Sequence, residues 1–200
     1  AFNQGKNLLI SQLAEHWLLN FLEQEQVFAL KAAKNNIIYQ FKNTELSIET
    51  EKVLNTEQTV KFKGFIDRVD QVDDVVRIID YKTGRVAPEK LKVQDMETFF
   101  TRKDNKEAFQ LLFYQWLFQQ SNAYSGGKVE PAIISFPVLR EGVMGLRIPN
   151  SENQSLISEF EKHLIMMIGE ILNDQTPFSK TPDKTICRFC DFKNVCNRYS

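Results

Sequence analysis

No apolar run in the 200-residue chain approaches the roughly 18 consecutive residues that a membrane-spanning helix needs. Nor does a basic segment precede an apolar one at the start, so no membrane partner is expected and the reading is a cytoplasmic protein. Cysteine is scarce as well: Cys187, Cys190 and Cys196 all fall within the last 14 residues. That layout is poor for stapling a secreted fold and common for holding a metal. Net charge is almost absent, and a formal −1 decides nothing about a nucleic-acid partner, because an acidic metal site can offset a basic groove in the sum. No internal repeat and no low-complexity segment is found.

What the chain does have is a core. Apolar side chains make up 42% of it and sixteen phenylalanines lift the aromatic share to 12%, enough for one sizeable globular domain with a small appendage. Residues 7–33 place Leu9, Leu13, Trp17, Phe21, Val27 and Leu30 at helical spacing, which predicts one or two amphipathic helices. Strands are predicted at 45–54, 60–69 and 75–82, the last two joined through residues 71–74. Residues 84–106, charged and carrying Pro88, are expected to form a solvated loop with a short helix near 93–100. A strongly apolar helix at 107–120 ends at Ser125-Gly126-Gly127; a strand at 132–139, a partner at 143–148 and a helix at 151–173 follow. The order defines an α/β fold in which helices flank a mixed sheet. Residues 1–176 are expected to form the domain and 177–200 a cysteine-bearing segment.

The charges of GFIDRVDQVDDVVRIIDYKTG, residues 64–84, stand among β-forming apolar residues, where unpaired charge is expensive. With a turn centred between Val72 and Asp73, Asp67 falls opposite Ile78, on the face that carries Asp80 and Lys82, because strand side chains alternate with period two. Asp67 and Asp80 become diagonal neighbours about 7–8 Å apart at Cα, within reach of one cation. Carboxylates with retained water suit Mg²⁺, the Tyr81 carbonyl offers a third ligand, and a lysine alongside suits phosphodiester hydrolysis. The bland alternative is that these residues only form ion pairs on a half-exposed sheet. A calcium loop is excluded: the aspartates are not at positions 1, 3 and 5, the required glycine is missing and no glutamate closes the loop.

The G-x-x-D-R-x-D run from Gly64 to Asp70, followed by Asp80-Tyr81-Lys82-Thr83-Gly84, resembles the paired motifs of the RecB-like nucleases in the PD-(D/E)XK superfamily. The resemblance implies a restriction-endonuclease-like α-β-β-β-α-β core, with Asp67 and Asp80 as metal ligands and Lys82 as the catalytic lysine. Gln110 and Tyr114 share a helix face at i, i+4. The family's Q-x-x-x-Y motif, matched by QLLFY, implies that both belong to the active site; taken alone they read as polar tips at a core edge.

Three thiolates cannot close a four-cysteine site, so Cys187, Cys190 and Cys196 read as partial ligands of zinc or of an iron–sulfur centre. Their spacing resembles the C-terminal part of the iron–sulfur staple in AddB-type helicase–nuclease subunits, which implies a 4Fe–4S cluster whose fourth ligand is not in this chain. The same family carries a G-x-x-x-H helix with a metal-binding histidine. His16 is the candidate here, although Gln12 stands where the glycine would be; the plain reading of His16 and of His163 is structural. The missing cysteine, the imperfect histidine motif and the start at Ala1 are together read as a C-terminal piece of a longer protein. The expected function is a Mg²⁺- or Mn²⁺-dependent DNA exonuclease domain in recombination and repair, with DNA as substrate and a helicase subunit as partner. The competing readings are a catalytically incomplete DNA-binding or scaffold fragment, and a structural zinc protein with a fortuitous D-x-K.

Overall fold

A computed structural model describes residues 4–54, 58–101, 103–148, 153–177, 179–188 and 190–198. The chain divides into two compact units, residues 1–165 and 166–200.

The first unit opens with a single long helix, α1 (Gly5–Lys34). Its Trp17 and Phe21 pack on Phe136, and Phe21 also meets Tyr81 edge-on. A three-stranded antiparallel meander follows: β1 (Tyr39–Val53), β2 (Thr59–Val72) and β3 (Val75–Lys82). Helix α3 (Lys106–Gln120) then carries the chain to β4 (Lys128–Ser135), parallel to β3, and the short β5 (Met144–Gly145) closes the sheet in the order β1-β2-β3-β4-β5. Before α3 comes the six-residue α2 (Met96–Thr101), and after β5 comes α4 (Asn153–Leu172), whose residues from Met166 on belong to the second unit. This is the expected mixed α/β sheet flanked by helices. β3 is covered on both faces, as a strand with a parallel neighbour should be: Ile78, Ile79 and Asp80 are all buried.

Two expectations need correction. The segment 84–106 is not a solvated loop. Leu91, Val93, Met96 and Phe99 are buried, and Leu91 joins Val86, Leu111, Ile133 and Met144 in one core cluster. Its apolar residues are too widely spaced to register as a periodic element, yet Leu91 packs with Leu111 and Phe99 stacks on Phe109 of α3. The hairpin register is also shifted. The loop is Asp73-Asp74, so Val72 pairs with Val75 and Ile78 faces Val69 rather than Asp67. Asp73 adopts φ 53°, a conformation aspartate tolerates in tight hairpin turns. Its carboxylate accepts the Ile38 N–H at 2.9 Å and its own N–H donates to the Ile38 carbonyl at 2.7 Å, which fixes the turn one residue later than expected.

Moving the turn by one residue moves the register by two, which conserves facing. A further irregularity does not. Phe62 meets Trp116 of α3, and a Cβ on Gly64 would lie against Tyr114 and Leu117 of α3. Yet Arg68, at the same parity, reaches Glu25 of α1 across the sheet. β2 therefore turns over between Gly64 and Arg68, opposite Glu45, which β1 holds at φ 48°; a register shift between Phe41 and Asn43 follows just beyond, opposite Asp70 and Val69. Asp67 lies within that turnover.

In the second unit, α5 (Lys184–Cys187) is capped by Asp183, whose carboxylate accepts the Thr185 N–H at 2.8 Å. Among the described residues no helix is long and apolar enough to cross a membrane.

Candidate active site

Asp80 and Lys82, two apart on β3, project to the α3 side of the sheet, and one side chain of α3 ties them together. Gln110 donates from Nε2 to Asp80 Oδ1 at 2.8 Å and accepts from Lys82 Nζ at 2.7 Å through Oε1. Lys82 Nζ also lies 2.7 Å from Asp80 Oδ2. Tyr114, one turn further along α3, holds its hydroxyl 3.1 Å from Gln110 Nε2. The structure thus brings Asp80, Lys82, Gln110 and Tyr114 into one connected set.

Asp67 joins them by a different route. The β2–β3 ladder ends at the pair Arg68–Ile79, and beyond it the Asp67 carboxylate accepts the Tyr81 N–H at 2.7 Å. Asp67 therefore stands in the mouth between two parting strands, not diagonally across a regular ladder. Burial pushes the Asp80 carboxyl above its ordinary value; Lys82 pulls it back, and the negative charge of Asp67 adds to the rise. A buried carboxylate whose ionisation is opposed by burial and by a neighbouring negative charge is relieved by a cation.

The donor set fits a hard divalent ion. Asp80 Oδ2 is buried and receives no hydrogen bond of acceptable geometry. Its only partner among the described groups is the lysine ammonium, which offers charge without alignment. Carboxylate oxygens left in that condition are what Mg²⁺ or Mn²⁺ takes. Asp67, Asp80 and the Tyr81 main chain would supply the protein ligands. Among the described residues no three His, Cys, Asp or Glu side chains gather, so a third protein carboxylate or imidazole is not part of this set. His16 instead bonds Asn20 on the exposed surface of α1, and His163 stacks on Phe100.

The three cysteines belong to the second unit. All are free thiols and half-buried. Cys190 N–H donates to the Cys187 carbonyl at 3.2 Å, and Arg198 Nη1 lies 3.3 Å from Cys187 Sγ. Among the described residues they do not converge into a metal-binding group; a run of turns leads from Cys190 through Lys193 and Val195 towards Cys196.

On the far side of the sheet lies a network that the sequence did not announce. Arg68, almost fully buried, spends its guanidinium on four partners. Nε donates to Asp70 at 2.9 Å, Nη1 to the Tyr81 hydroxyl at 3.2 Å, and Nη2 to Glu25 at 2.8 Å and to the Tyr39 hydroxyl. Arg77 closes on Asp70 from β3 at 2.6 Å. Burial works against the Arg68 charge, but the bonds from Glu25 and Tyr81 outweigh it and hold the guanidinium firmly protonated. Burial also raises the Tyr39 phenol to about 12. The signal for this network was the D-R-x-D alternation itself, set against an arginine and a tyrosine in the next strand.

Residues 8–197 match the PD-(D/E)XK nuclease superfamily. The chain belongs to that superfamily, whose members are typically nucleases that use divalent metals. No curated protein sequence matches it. The crystal structure of SSO0001 is similar at 18% identity, covering 88% of this chain and 67% of that one, with a TM-score of 0.35.

Proposed function

We propose that the chain is a Mg²⁺- or Mn²⁺-dependent deoxyribonuclease domain, an exonuclease of the RecB-like kind found in AddB-type subunits, serving DNA recombination and repair beside a helicase partner. The observation that carries the reading is the knot of Asp80, Lys82 and Gln110 next to Asp67, with one buried carboxylate oxygen left without a directional donor. A bound divalent ion would supply a lowered pKa for a coordinated water and positive charge against the scissile phosphate. Lys82 carries three donors; one is given to Gln110, and Asp80 holds the ammonium as an ion pair without an aligned hydrogen bond. Its remaining donors would meet a phosphate oxygen as charge builds there. Gln110 fixes the direction of that ammonium, and Tyr114 fixes Gln110.

Cleavage of end-labelled single-stranded DNA in Mg²⁺ tests this, each protein beside its Lys82→Ala variant. Loss of a positioned charge on the developing transition state is expected to slow cutting by about 10²–10³-fold; equal rates would end the proposal. The two-carboxylate set favours a second reading, that this chain binds DNA but needs further protein to complete the site. Under it, the isolated chain binds DNA uncut, while a longer chain with added upstream sequence cuts. The spacing of Cys187, Cys190 and Cys196 supports a 4Fe–4S cluster in the same assembly. It would have to draw the three thiols together and take a fourth ligand from elsewhere, and absorbance at about 400 nm reports it.

A further inference from the structure

The network behind the sheet touches the candidate site at two adjacent residues. Arg68 is the neighbour of Asp67 on β2, and Tyr81 lies between Asp80 and Lys82 on β3. Past the last ladder pair, Arg68–Ile79, the two strands are joined by the Asp67–Tyr81 N–H bond on one side of the backbone and the Arg68–Tyr81 hydroxyl bond on the other. The ring of Tyr81 is held in turn by Phe136, stacked at 5.8 Å, and by Phe21, edge-on at 5.5 Å. Arg68 is anchored on its remaining donors by Asp70 and Glu25.

We infer that Arg68 and Tyr81 are positioning residues that set the separation of the Asp67 and Asp80 carboxylates, and so the affinity of the site for its divalent ion. The inference rests on the proposed metal-dependent function. A lysine at 68 would keep the charge but lose the planar fork that reaches Asp70, Glu25 and Tyr81 together. Partners that orient metal ligands without touching the metal are worth as much as 10–100-fold in affinity. Here the link runs through one tyrosine hydroxyl, so the lower end applies.

The test is Tyr81→Phe, which keeps the ring, both aromatic contacts and the main-chain carbonyl and removes only the hydroxyl. Mn²⁺ binding is followed by calorimetry on the whole chain, with thermal unfolding measured in parallel. Tyr39→Phe serves as the control: it removes another hydroxyl from Arg68, one that lies on β1 and does not join β2 to β3. Tyr81→Phe is expected to weaken Mn²⁺ about tenfold, while Tyr39→Phe lowers the melting temperature and leaves the affinity unchanged. Where cutting is measurable, the Tyr81→Phe defect should shrink as Mn²⁺ is raised to saturation. Wild-type affinity in Tyr81→Phe overturns the inference alone, as does equal weakening in both variants, which would mark a general loss of stability. A wild-type chain that binds no Mn²⁺ overturns the metal reading and the inference with it.

Discussion

At the scale of the residue, Asp80 is where function and stability oppose each other. Its folded pKa lies above the ordinary carboxylate value, chiefly through burial. The folded state therefore holds the proton more tightly than the unfolded state. Stability contributed by this group is present below the ordinary value and is lost as pH rises through the raised one. Asp80→Asn removes that loss. Its melting temperature relative to wild type should accordingly climb in metal-free buffer as pH rises from the ordinary carboxylate value through the raised one, while cleavage assayed with Mg²⁺ should be lost. A flat difference across that range would show that Asp80 ionises freely in the fold. Gln110 is the opposite case. Its two ends are both committed, one to Asp80 and Tyr114 and the other to Lys82, and the Q-x-x-x-Y spacing made it readable from the sequence because i and i+4 share one helix face. Arg68 was not readable as more than an ion pair. Nothing local says that five donors will meet partners drawn from α1, β1, β2 and β3.

At the scale of the element, α3 and β2 must approach closely for the site to exist. Gly64 makes the approach possible: a Cβ there would fall 2.9 Å from Leu117 Cδ2 and 3.2 Å from Tyr114 Cε1. Leu117 is fully buried and Tyr114 is tied to Gln110, so neither side chain can swing away without cost. Gly64→Ala should destabilise the domain by about 1–3 kcal/mol through overpacking, read as a lower denaturant midpoint at an unchanged slope. Valine should cost more, and a midpoint equal to wild type for alanine would refute the close approach. The same element shows where alternation fails as a guide. β2 was expected to deliver Asp67 by strict period two, but it turns over between Gly64 and Arg68. Asp67 reaches the site by bonding the Tyr81 N–H in the gap between strands. A bulge or turnover leaves little trace in residue type, because it is set by how the partner strand twists.

At the scale of the whole first unit, the site is a product of the crossover. β3 supplies Asp80 and Lys82, and α3 returns over that face on its way to the parallel strand β4, so Gln110 meets them from 28 residues or more along the chain. Ligand binding to such an assembled site should couple to folding of the whole unit. At Mn²⁺ a hundredfold above the dissociation constant, the folded state gains about 2.7 kcal/mol. The wild-type melting temperature should rise with Mn²⁺, and Asp67→Asn should blunt that rise; an identical rise in the two proteins would place the ion elsewhere. By itself the sequence determined the main elements and their order and marked the candidate site residues, because helical and strand periodicity and the spacing of D-x-K and Q-x-x-x-Y are local properties of the chain. Tertiary structure alone decided how Asp67 reaches Asp80, which residues clamp the parting strands and which of the candidate ligands come together. Those depend on hairpin register, strand twist and contacts between distant segments, and their energies are settled only when the whole sheet closes.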